Sequence, residues 1–103
     1  MIVELANNFI GTGEVADFSF RMVANFERSY IYLVEHEGGS HYEAFLKKTT
    51  PLCIDFEKRI YSTTDFKEKY PKAKDFGVWA WTSKDLQYLK NKLNENSSSG
   101  SLN

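Results

Sequence analysis

A chain of 103 residues with 42% hydrophobic and 16% aromatic content supports one modest core and excludes a disordered polymer, since a compact protein of this size buries about 65% of the surface its unfolded chain exposes. Thirteen basic against fourteen acidic side chains leave a net charge of −1, too balanced to make nucleic acid or an anionic membrane the default partner. No apolar run approaches the roughly 20 residues of a membrane helix, no signal-peptide pattern precedes Glu4, and the single Cys53 excludes an internal disulfide and a cysteine zinc cage, so a cytoplasmic protein is expected.

Ile2, Val3 and Leu5, followed by Phe9-Ile10, predict a short first strand or ordered arm that ends at the Gly11-Thr12-Gly13 turn. From Asp17 to Phe26 apolar and polar residues alternate, with Phe18, Phe20, Met22, Ala24 and Phe26 on one side. That is the pattern of a half-buried strand. After Glu27-Arg28 a β-rich run from Ser29 to Glu37 ends at Gly38-Gly39. The tightest hairpin turns need positive φ, which glycine adopts without steric cost, so the chain is expected to return there as a strand over Ser40 to Lys48.

With Gly38 and Gly39 at the turn centre, His36 faces His41 and Val34 faces Glu43, and the register divides the side chains. Ile31, Leu33, Tyr42, Ala44 and Leu46 form the expected core face, while Tyr30, Tyr32, Val34, His36, His41, Glu43 and Phe45 lie on the other. A two-residue turn at Glu27-Arg28 sets Ala24 opposite Ile31 and Met22 opposite Leu33.

Thr49-Thr50-Pro51 interrupts the pattern, because proline cannot continue a central ladder. Leu52 to Tyr61 is read as a strand in preference to a helix on the alternation of Leu52, Ile54 and Phe56 with Cys53, Asp55 and Glu57. Ser62-Thr63-Thr64-Asp65 reads as the start of a short helix over Asp65 to Lys69, stopped by Pro71. Phe76 to Trp81 is expected to be a final strand. Leu86, Leu89 and Leu93 recur at helical spacing and predict a helix from Ser83 to Asn94. The fold class is therefore α+β: an antiparallel meander of four to five strands with the C-terminal helix packed on it, in one domain over residues 1–96. Residues 97–103, rich in Ser and Gly, read as a flexible tail.

No catalytic signature is present. His36 and His41, with Glu43 beside them, have the donor types of a divalent-ion site. Exposed histidines near a hairpin tip are ordinarily solvated, however, and no metal or cofactor is assigned. Cys53 is read as a buried structural thiol, since Asp55 and Glu57 nearby oppose thiolate formation. The sheet face bearing Tyr30, Tyr32, His36, His41, Glu43 and Phe45 is the candidate surface for a protein partner, because tyrosine offers large rigid area with a polar tip. Phe76, Trp79 or Trp81 covering that face as a second core layer is the alternative.

Charge is unevenly distributed, with −5 over residues 1–46 and +4 over 47–103. Lys58, Arg59, Lys67, Lys69, Lys72 and Lys74 interleave with Tyr61, Phe66 and Tyr70, which is the composition of a nucleic-acid surface.

Gly13-Glu14-Val15 with Phe18, His41-Tyr42-Glu43 with Phe45, Tyr70-Pro71, and Phe76-Gly77-Val78-Trp79-Ala80-Trp81-Thr82 together resemble a pattern in short uncharacterised proteins of bacteria and their phages or mobile elements. The resemblance implies a small accessory protein and carries no assigned activity. The expected function is a non-enzymatic module that binds another protein, with nucleic-acid binding through the basic second half as the alternative.

Overall fold

The computed structural model describes residues 1–97 and is an α+β fold. Eight strands follow in chain order as β1 (Ile2–Val3), β2 (Asn8–Ile10), β3 (Ser19–Asn25), β4 (Ser29–His36), β5 (Gly39–Leu46), β6 (Thr49–Asp55), β7 (Ile60–Glu68) and β8 (Ala80–Ser83). The helix α1 (Leu86–Ser97) closes the described chain. Five strands form an antiparallel sheet in the order β2-β3-β4-β5-β8. The chain leaves this sheet after β5 to build a second one, β1-β7-β6, in which β1 runs parallel to β7. Beyond Ser97, the expected tail lies outside the described residues.

In the central hairpin His36 pairs with Gly39, Val34 with His41, Tyr32 with Glu43 and Tyr30 with Phe45. The turn is therefore centred on Glu37-Gly38, because Gly39, at φ +139°, already opens β5. This corrects the expected pairing by two residues, which is one full side-chain period, so both faces keep their members. The β3–β4 ladder behaves differently. Ala24 meets Ile31 as expected, but a bulge between Ala24 and Met22 brings Met22 opposite Tyr32. An extra residue in one strand reverses the facing of everything beyond it. Phe20 and Met22 consequently join the Tyr32 face while Ala24 stays on the other, so the single apolar side expected for this strand is split in two.

Both faces of the five-stranded sheet are covered. On one, Ile31 and Ala44 pack against Leu89 and Leu93 of α1, with Trp81 beside them. The leucine stripe lies where its spacing places it, although the helix starts three residues later than expected. Ser83 spends its hydroxyl on the Asp85 amide, and Asp85 caps the helix by accepting from the amides of Gln87 at 3.0 Å and Tyr88 at 3.2 Å. On the opposite face Phe20, Tyr30, Tyr32, Val34, Phe45, Trp79 and Ala80 are buried, joined by Phe9, Tyr70 and Phe76. The aromatic rings meet edge-to-face or stacked at centroid distances of 4.7–6.3 Å. Tyr30, Tyr32 and Phe45 are thus interior residues, and Trp79 supplies the cover.

The second sheet overturns three expectations, the first being the single strand over Leu52 to Tyr61, which the turn at Phe56 to Arg59 divides between β6 and β7. Pro51 lies inside β6, which tolerates it as an edge strand. The Phe66 amide donates to the Met1 carbonyl on its other side, so Pro51 and Phe66 form a non-hydrogen-bonded pair and the missing proline N–H falls on the open edge. The helix expected over Asp65 to Lys69 is replaced by the end of β7. Ser62 Oγ accepts from the amides of Thr64 and Asp65, a local turn that uses the capping chemistry of serine to distort a strand instead. The final strand is also displaced, to Ala80–Ser83. Ala73–Asp75 forms a 3-10 turn and Gly77, at φ +92°, reverses the chain after Phe76.

Glu68 ties the two sheets together. Its Oε1 accepts from the buried Tyr30 hydroxyl and, at 3.0 Å, from the Leu5 amide. Glu68→Ala strands both donors and is expected to cost about 3 kcal/mol, read as a lowered midpoint in urea unfolding; a shift below about 0.5 kcal/mol would show that neither bond matters.

Candidate functional site

The Tyr32 face is not covered along its whole length. Where β3 and β5 begin, beside the central hairpin turn, the covering segments part and leave a cleft of about 740 Å³. Five stretches of chain line it, the shortest contribution being Thr82 from β8. The loop after β2 brings Thr12 and Val15, β3 brings Phe20 with Phe18 just before it, β5 brings His41 and Glu43, and the connection from β7 to β8 brings Tyr70 to Ala73 and Phe76.

Local sequence explains how each wall is held. Gly11 donates its amide to the Phe18 carbonyl at 2.8 Å. A Cβ on Gly11 would lie 2.1 Å from the Val15 carbonyl oxygen, so only glycine lets the 3-10 turn Gly13–Val15 fold back and present Val15 to the cleft. On the far wall Pro71 is buried. The Asp75 carboxylate accepts from the Lys72 amide at 2.8 Å, which pins the loop between Pro71 and Phe76 and holds the Asp75 carboxyl below the usual carboxylate range.

The polar floor is one connected group. The Tyr70 hydroxyl donates to Glu43 Oε1 at 2.7 Å, and His41 Nε2 lies 2.9 Å from Glu43 Oε2. Both carboxylate oxygens are therefore engaged, each by a different element. Burial, and then the adjacent Glu43 carboxylate, push the Tyr70 phenol far above its ordinary range, so it remains a donor to Glu43. Facing a carboxylate oxygen, which can only accept, His41 Nε2 is the donor of this pair. His36 stacks on Phe18 at a centroid distance of 4.8 Å and lies 5.6 Å from the His41 ring. The two histidines do come together, diagonally rather than directly opposite. Among the described residues no group of three His, Cys, Asp or Glu side chains is placed to hold a metal ion.

Of the residues expected to meet a partner, His41 and Glu43 line the cleft and His36 adjoins it through Phe18, whereas Tyr30, Tyr32 and Phe45 lie in the core. The basic set is dispersed. Lys58 and Arg59 occupy the β6–β7 turn, Lys67 lies in β7, and Lys69, Lys72 and Lys74 follow that strand, roughly 25 Å from the turn at the rise of an extended chain. Tyr70 belongs to the core, and the Lys69 ammonium rests 5.6 Å from the ring of the buried Trp79. Sequence reasoning missed Val15, Phe18, Tyr70, Pro71 and Phe76 as cleft residues. The signal was the spread of one motif over distant segments, which topology alone gathers.

Among the described residues no helix is long and apolar enough to cross a membrane. No protein-family model matches the chain, and no curated protein or solved structure matches it.

Proposed function

We propose that the protein is a non-enzymatic binding module that seats an apolar side chain of a partner protein in the cleft, with the His41 ring on its polar floor meeting a polar group of the same segment. The observation that carries this reading is the pairing of apolar walls, Val15, Phe18, Pro71 and Phe76, with a floor whose polar atoms are already oriented. Clefts of this composition recognise ligands by apolar burial and a few fixed polar groups. The groups nearby support binding rather than bond making. Glu43 has both oxygens engaged, the Thr82 hydroxyl donates to the Tyr42 carbonyl, and Cys53 stands in the other sheet, exposed on the edge strand β6 rather than buried as expected. Val15, Phe18, His41, Glu43, Tyr70, Pro71, Phe76 and Thr82, which carry much of the resemblance to short bacterial and phage proteins, all line this cleft. An accessory role in such a system is consistent with that convergence.

Peptides selected for binding from a displayed random library should share an apolar residue and lose at least tenfold in affinity for Phe76→Asp, about 1.4 kcal/mol, measured by calorimetry. Selection of none, or equal binding by the variant, would overturn the reading. In parallel, titration with mixed-sequence single and double strands at low salt should leave the Trp fluorescence flat. A saturable response that collapses with added salt would favour the nucleic-acid alternative on Lys58, Arg59, Lys67, Lys69, Lys72 and Lys74.

A further inference from the structure

The sheet β1-β7-β6 has no buried residue on any of its strands. A three-stranded sheet ordinarily requires one covered face, and here large apolar side chains stand in water instead. Phe56 is 84% exposed, Ile54 67%, Ile2 57%, Tyr61 53% and Ile60 46%. Ile2 stands apart, paired with Phe66 toward the other end of β7. Ile54, Phe56, Ile60 and Tyr61 gather at the β6–β7 hairpin end and expose apolar surface on the order of a few hundred Å², a substantial part of the roughly 800 Å² per partner of a standard interface.

We propose that this surface is a self-association site and that two copies of the chain dimerise through their β6–β7 hairpins. Charge at the tip supports a second copy as the occupant. Two acids, Asp55 and Glu57, are followed directly by two bases, Lys58 and Arg59. The sum is zero, and a two-fold axis, under which the same patch meets itself, can set Glu57 of one protomer against Lys58 of the other. Asp55 is turned inward, accepting from the Lys58 amide at 3.1 Å. That leaves Glu57, Lys58 and Arg59 to face a partner. The mode is also constrained. Pro51 places its missing N–H on the open edge of β6, so the two copies meet through side-chain faces rather than by extending the ladder.

Sedimentation equilibrium on the full chain tests this. The wild type is expected to dimerise, and Phe56→Glu, Lys58→Glu and Glu57→Lys should each weaken the dimer at least tenfold. Mixing Lys58→Glu with Glu57→Lys should restore association, which a merely misfolded variant cannot do. A wild type that stays monomeric at every concentration would overturn the proposal. So would charge variants that dimerise as tightly as the wild type, or a mixture of the two that does not associate.

Discussion

Tyr32→Ala is expected to lower the free energy of unfolding by about 4 kcal/mol, or roughly 20 °C in melting temperature for a domain of this length. The ring is wholly buried. It stacks on Phe45 at 5.8 Å and meets Phe9, Tyr30 and Tyr70 within 6 Å, so its removal opens a cavity among four aromatic neighbours. The hydroxyl adds a second tie, donating to the Ala6 carbonyl at 2.7 Å and so fixing the chain between β1 and β2 over the sheet. Tyr32→Phe separates the two contributions, with an expected loss of about 1 kcal/mol from the one hydrogen bond. Thermal unfolding followed by circular dichroism reads both variants. A loss below about 1 kcal/mol for the alanine variant would mean that Tyr32 is the exposed contact residue that strand alternation suggested.

Alkali should unfold the protein steeply. Tyr30, Tyr32 and Tyr70 each have their phenol raised, first by burial and then by a neighbouring carboxylate, Glu68 for the first two and Glu43 for Tyr70. Tyr32 is pushed up to about 12. In the unfolded chain all three titrate near 10. Below that pH both states hold their protons and the stabilisation is complete. Above it the unfolded chain releases protons that the native state retains, and stability falls until the native phenols ionise as well. The slope is about 1.4 kcal/mol per pH unit for each phenol, hence about 4 kcal/mol per unit for three. Urea midpoints between about pH 10 and 12, above the unfolded value and up to the raised native one of Tyr32, measure it, and Tyr70→Phe should reduce the slope by about a third. A midpoint independent of pH over that range would show that the three hydroxyls are not held as donors.

The sequence was most legible where a period is long and uninterrupted. Leu86, Leu89 and Leu93 could hardly belong to anything but a buried helical stripe, and the division of β4 and β5 into two faces survived even an error in the turn, because the error was one whole side-chain period. Legibility failed where a single residue changes parity or serves two grammars. The bulge beside Val23 redirected Phe20 and Met22 without any glycine or proline to announce it. Ser62 has the chemistry of a helix cap and used it to bend a strand. The larger miss concerns Tyr30, Tyr32 and Phe45, read as a partner surface. Sixteen aromatic side chains are too many for one face of a small sheet, and that arithmetic favoured a second layer under Trp79 and Tyr70. Which of Phe76, Trp79 and Trp81 would cover it depended on the reversal at Gly77, a long-range outcome that local pattern does not encode. His41 and Glu43 were recognised as candidates for their side-chain chemistry, while the partner that orients them, Tyr70, is 27 residues farther along the chain from Glu43.

Chemical-shift mapping of a selected peptide on the isotopically labelled full chain tests the cleft most directly. Binding through it moves the amides of Val15, Phe18, His41, Lys72 and Phe76 and leaves those of Ile54 to Tyr61 in place. Perturbations confined to the β6–β7 hairpin, with the cleft silent, would contradict the account.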